Sequence, residues 1–114
     1  MEFKIIRSDD QVTHVALAGK FDLAGVQQIE MKFTAAVASR GKPAVVDLSE
    51  TTYLASLGLR VLLVTARALA GKGQKMVLLN PSPEVLQVLQ LGKINLIIPI
   101  ETDLARALAL AGVK

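Results

Sequence analysis

The chain has no cysteine, no tryptophan and one histidine, and these absences exclude whole classes of function. Without cysteine there is no disulfide framework, no thiol nucleophile and no thiolate metal site. His14 alone cannot build a multi-histidine metal centre, and any serine-histidine-acid plan would have a single base to draw on. Aromatic residues are equally scarce, and Phe3, Phe21, Phe33 and Tyr53 are too few for a platform on which nucleobases stack. Long apolar runs are missing too. The best stretches, Val61 to Ala66 and Ile94 to Ile100, fall well short of the roughly 18 uncharged residues of a bilayer span. The opening Met1-Glu2-Phe3-Lys4 carries charge where a signal peptide is apolar, so the chain reads as cytoplasmic.

Thirteen Lys and Arg face ten Asp and Glu, a net charge of +3. The basic residues stand singly, spaced by acids or apolar stretches, and form no stripe of the kind that tracks a phosphate backbone. Nucleic acid is therefore not an expected partner. With 114 residues, 52% of them hydrophobic and 20% charged, the chain has the composition of one compact domain over residues 1–114, with no repeat, linker or low-complexity run.

Two extended segments come first, Phe3 to Ile6 and Val12 to Ala18, joined by the polar Ser8-Asp9-Asp10-Gln11 in a way that suits an antiparallel hairpin. From Asp22 onward helices and strands alternate, which predicts an α/β fold with a mixed, mostly parallel sheet and crossover helices. The first helix is expected from Leu23 to about Arg40, capped by Asp22 and stopped by Gly41, with Leu23, Val26, Ile29, Phe33 and Val37 on its buried stripe. Ala44 to Leu48 reads as a strand, followed by a polar loop Glu50-Thr51-Thr52 and the segment Tyr53-Leu54-Ala55. A second helix is expected from Ser56 to Ala70, burying Leu59, Leu62, Leu63, Ala66 and Leu69. Met76 to Leu79 is a further strand, Pro83 to Leu91 a helix capped at Ser82, Leu96 to Pro99 the last strand, and Thr102-Asp103 opens a terminal helix. His14, in the alternating run from Val12 to Leu17, is expected on the strand surface.

The strongest local feature is the junction from Asp47-Leu48-Ser49 to Tyr53-Leu54-Ala55-Ser56-Leu57-Gly58-Leu59-Arg60. In an open α/β sheet, the carboxyl ends of parallel strands and the helix starts that follow them form the usual functional surface. Ser56 lies at or beside a helix start, where free N–H groups and the positive dipole end favour an anion such as phosphate; it could equally act as a simple cap. Asp47 could accept hydrogen bonds from the Ser56 loop or stand in solvent. Gly58 would let the helix start approach its neighbours closely, and Leu57 could meet either a partner or the core.

Together with Gly19-Lys20-Phe21-Asp22 and Leu78-Leu79-Asn80-Pro81-Ser82, these stretches resemble the STAS domains of bacterial anti-sigma factor antagonists over nearly the whole chain and in order. The resemblance implies a βα fold with helices covering mainly one face of the sheet. It also implies a serine-kinase-like anti-sigma factor as partner, release of that partner on phosphorylation of the serine that opens the second helix, and a phosphatase that reverses the change. Ser56 occupies that position, and the implied partner surface takes in Asp22, Asp47, Ser49, Leu57, Gly58 and Arg60. Phosphorylated members show Asp-Ser-Ser-Gly or Asp-Ser-Thr-Gly where this chain reads Ala55-Ser56-Leu57-Gly58. The alternative is a stand-alone small-molecule, nucleotide-binding or transporter-accessory module with no phosphorylation cycle. No metal, cofactor or catalytic activity is expected, since no nucleophile-base pair is evident.

Overall fold

The computed structural model describes residues 1–113, and its element order follows from the sequence with few exceptions. Strands β1 (Glu2–Ser8) and β2 (Thr13–Phe21) form the antiparallel hairpin. The chain continues through α1 (Leu23–Phe33), a π-helical turn (Thr34–Ala38), β3 (Ala44–Asp47), β4 (Thr51–Leu54) and α2 (Ser56–Ala70). It ends with β5 (Met76–Leu79), α3 (Pro83–Leu91), a 3₁₀ turn (Ile94–Leu96), β6 (Ile100–Glu101) and α4 (Leu104–Ala111). The sheet runs β1-β2-β3-β5-β6, every pairing after the hairpin being parallel.

One strand departs from that path. The end of the expected loop, Thr51-Thr52, joins Tyr53-Leu54 in β4, which pairs in parallel with the end of β2, from Gly19 to Phe21, while β3 pairs with the start of β2, from Thr13 to Ala16. The chain leaves β3 through a turn and rejoins the same strand further along. Buried Thr51 holds this path in place by donating its hydroxyl to the Leu17 carbonyl at 2.8 Å, and the Gly19 N–H donates to the Glu50 carbonyl at 3.0 Å.

The main core lies between the sheet and α1, α2 and α3, with Leu17, Phe21, Phe33, Val46, Leu62, Leu78 and Leu89 fully covered. Phe3 meets Phe33 edge-on at 6.2 Å between ring centres. On the opposite face α4 alone lays Ala107 and Ala111 over Val12, Val45, Val77 and Leu79.

Five expectations need correction. The first helix stops as an α-helix at Phe33 and passes into a π turn, in which the Ser39 N–H reaches back five residues to the Thr34 carbonyl at 3.1 Å. Leu23 is exposed at the start of α1 and is not part of the buried stripe. The buried stripe of α2 is Gly58, Val61, Leu62, Thr65 and Leu69, rotated from the expected one. The last strand is Ile100–Glu101. Leu96 instead closes the 3₁₀ turn that follows a left-handed Lys93 (φ 58°), Ile97 to Pro99 lie outside any strand, and Pro99, which has no N–H, contributes only its carbonyl, to Leu78. His14 is buried, because it lies at the start of β2, an inner strand flanked by β1 and β3, where successive residues Thr13, His14 and Val15 are all buried.

Candidate functional site

Three chain segments meet at the carboxyl ends of β2, β3 and β4. At the end of β2, Asp22 caps α1, its Oδ1 accepting the Gly25 N–H at 2.9 Å. Beside it, the Ala55 N–H donates to the Phe21 carbonyl at 3.1 Å and ties the start of α2 to the same strand end. In the β3–β4 turn, Asp47 Oδ1 accepts the Ser49 N–H at 2.8 Å, so this carboxylate shapes its own turn and not the Ser56 loop. Ser49 is exposed there and Asp47 half-buried.

Two glycines fix how closely the helices approach. Gly25 and Gly58 each stand three residues after the cap, and a Cβ on Gly25 would lie 2.2 Å from the Lys20 carbonyl oxygen. A Cβ on Gly58 would lie 2.6 Å from the Phe21 carbonyl oxygen and 2.8 Å from the Phe21 ring. Both helix starts thus rest directly on the last two carbonyls of β2, a contact that only glycine permits. Gly58 is buried, so it shapes this surface from beneath.

Ser56 is the first residue of α2 and is exposed; the cap is the half-buried Ala55, in extended conformation and with no side-chain hydrogen bond to give. The Ser56 hydroxyl is therefore not spent on capping. The first N–H groups of α2 have no partner within the helix, and the first helical bond to the cap is Leu59 N–H to the Ala55 carbonyl at 3.0 Å. Leu57 is exposed and Arg60 reaches the surface on the side that faces α1. Asp22, Ser56, Leu57 and Arg60 thus gather around the starts of α1 and α2, with Ser49 on the neighbouring strand-end turn.

Sequence reasoning missed a groove of about 430 Å³ between α1 and α2, bordered by Leu23, Leu57 and Val64. The available signal was Val64, an aliphatic residue off the expected buried stripe of α2. The titrating groups with shifted values lie elsewhere. Burial holds the His14 imidazole below its usual range, the Asp47 charge acting against that and Arg7 with it. Asp9 is lowered to about 2, chiefly by its hydrogen bond from Arg7.

The family model described as "Mlab, STAS domain" matches residues 6–99. BtrV of Bordetella bronchiseptica, assigned as an anti-sigma factor antagonist, is 29% identical over 100 residues, 88% of this chain and 86% of that protein. An anti-sigma factor antagonist from Mycobacterium paratuberculosis superposes with a TM-score of 0.82 at 23% identity, over 96% of this chain and 94% of that one. The anti-sigma factor antagonist SpoIIAA in its unphosphorylated form gives 0.79 at 22% identity, over 99% of each chain. The Bacillus SpoIIAA in its phosphorylated form gives 0.70 at 21%, over 96% and 98%. The family match spans most of the chain and the superpositions share its mixed sheet and helices: this chain is a member of the STAS domain family.

Proposed function

We propose that the chain is a cytoplasmic, non-catalytic anti-sigma factor antagonist that docks its strand-end surface on a serine-kinase-like anti-sigma factor and is released when that kinase phosphorylates Ser56. The observation that carries the reading is the placement of Ser56: first in α2, at the surface, with its hydroxyl free of a capping role. In the transfer, Ser56 Oγ attacks the γ-phosphorus of ATP, ADP departs, and the hydroxyl proton passes to the kinase. The product carries about −1.5 to −2 charges at a helix start whose N–H groups and dipole tolerate an anion, with Arg60 one turn on. Helix α2 stays folded, and a strongly hydrated group now stands in the middle of the docking surface. A phosphatase restores the docking form. The Bordetella relative and the SpoIIAA structures in two phosphorylation states support this reading.

A second reading, a module for a small molecule, a nucleotide or a transporter with no phosphorylation cycle, is favoured by Ala55 and Leu57, which replace the acid and second hydroxyl of phosphorylated members. The test is incubation with the candidate kinase and labelled ATP. Label should enter the native chain, map to Ser56 and vanish in Ser56→Ala, while Ser56→Ala still binds the kinase. Label that persists in Ser56→Ala, or that maps to Ser49, Thr51 or Thr52, overturns the assignment.

A further inference from the structure

The apolar face of α2 is wider than its contact with the sheet: beside buried Val61, the residues Leu57 and Val64, at i and i+7, are 42% and 55% exposed. Opposite it, α1 presents Leu23, 57% exposed, and Val26. An apolar face that extends past its core contact leaves a packing edge open to water. Val26, Val61 and Thr65 form the floor of the groove, and Leu23, Leu57 and Val64 form its rims.

The two helices start together at the strand ends, so the groove opens beside Ser56 and runs away from it. From Leu23 to Thr34 is eleven residues, about 16 Å at about 1.5 Å per residue, or about three turns. Its charges are placed one to a wall, Glu30 on α1 and Arg60 on α2. Neither is in an ion pair among the described residues, whose salt bridges are Arg7–Asp9 in the hairpin and Arg106–Asp103 at the start of α4.

We propose that the α1–α2 groove takes a single amphipathic helix of the docking partner, about three turns long, with aliphatic side chains at i, i+4 and i+7, an acid facing Arg60 and a base facing Glu30. The inference deepens the docking reading above and rests on it for the position of the interface. Side-chain ridges of the incoming helix fit a trough between two helices, and the opposed charges fix its direction. The groove alone is small beside the roughly 1,600 Å² of a stable complex, so it works together with the Ser56 surface and sets which partner fits.

The test is photocrosslinking in cells with a benzoylphenylalanine placed at Val64, at Ser49 or, off the groove, at Met31. The Val64 probe should capture one partner at a helix with apolar residues on successive turns, and the Met31 probe should not. In the purified complex, Leu23→Glu and Val64→Glu should each weaken binding about tenfold or more, because each would bury a carboxylate in an apolar trough, with circular dichroism unchanged. Capture from Ser49 with silence from Val64 overturns the groove and leaves the kinase reading standing. A captured helix from a protein without a kinase domain supports the groove and overturns the kinase reading. Capture of a second copy of this chain, or silence from both positions, overturns the proposal.

Discussion

The two ends of the sheet treat their polar groups in opposite ways. At the end where β2 and β3 begin, four charged side chains are tied into the fold. Arg7 pairs with Asp9 at 2.6 Å and donates to Gln11 at 3.1 Å, and Asp9 accepts the N–H groups of Gln11 and Val12. Arg40 reaches the Asp9 and Val12 carbonyls and the Thr13 hydroxyl, and Lys72 donates to the Ala38 carbonyl at 2.9 Å. At the end where β2 and β4 finish, Asp22, Asp47 and Thr51 secure the backbone, and the remaining polar side chains are left open. Ser56, Arg60, Glu30 and the aliphatic rims face water. One end ties its long charged side chains into the fold, and the other leaves Ser56, Arg60 and Glu30 open to solvent, as the docking proposed above requires.

The glycines of α2 break that comparison most sharply. Gly58→Ala at the docking end gains about 1 kcal/mol in helix propensity but drives a Cβ into the Phe21 carbonyl, and should cost a net ~2 kcal/mol or more in denaturant unfolding. Gly71→Ala at the other end meets nothing closer than 3.5 Å at φ −63°, and should be neutral or stabilise by up to about 1 kcal/mol. Equal costs at both positions would show that the close seating of α2 does not matter.

Arg60→Glu should weaken the partner complex about tenfold, ~1.4 kcal/mol, and leave the unfolding midpoint unchanged, as read by calorimetry and by denaturant titration. A fall in stability of the same size would place Arg60 in the fold and not the interface. Smaller still is the contrast between two helix starts. Asp22→Ala removes a cap and should cost about 1 kcal/mol of stability, whereas Ser56→Ala removes none and should stay within about 0.5 kcal/mol.

The smallest effect is a pH dependence at the secured end. His14 is held below its ordinary value by burial, so the unfolded chain binds its proton first, at a pKa of about 6.5. The stability from neutral, buried His14 is fully present above that pH and falls as pH drops toward its folded value; His14→Gln should flatten the slope. Asp9, lowered to about 2, gives stability that is present above about 3.8 and lost as pH falls through about 2, so Asp9→Asn should lower stability at all pH above that window and flatten the slope only within it. Unfolding curves of both variants across acidic pH separate the two.

Much of the frame was legible because it rests on local chemistry. Asp22 and Ser82 announce their helices, Pro83 opens α3, and the buried runs Ala44–Asp47 and Met76–Leu79 read as parallel strands. The hidden features depend on long-range partners. Thr51–Leu54 is too short and polar to read as a strand, and becomes one only because β2 outruns β3 and leaves backbone groups to be paired. His14 alternates like a surface residue until the hairpin and β3 close over it. The position of Ser56 was legible, but its release from capping required the extended geometry of Ala55. The groove belongs to neither helix alone, and arises only when Leu23 and Val64 are brought to its edges.

Gly25 and Gly58 seat two helices on consecutive carbonyls of one strand, and this separates shape from lettering. The spacing of α1 and α2 is set by backbone resting on backbone, so substitutions along the rims need not move either helix. On such a frame the side chains along the rims can change one at a time while the outline stays, which accords with the outline this chain shares with SpoIIAA at 22% identity over 99% of each.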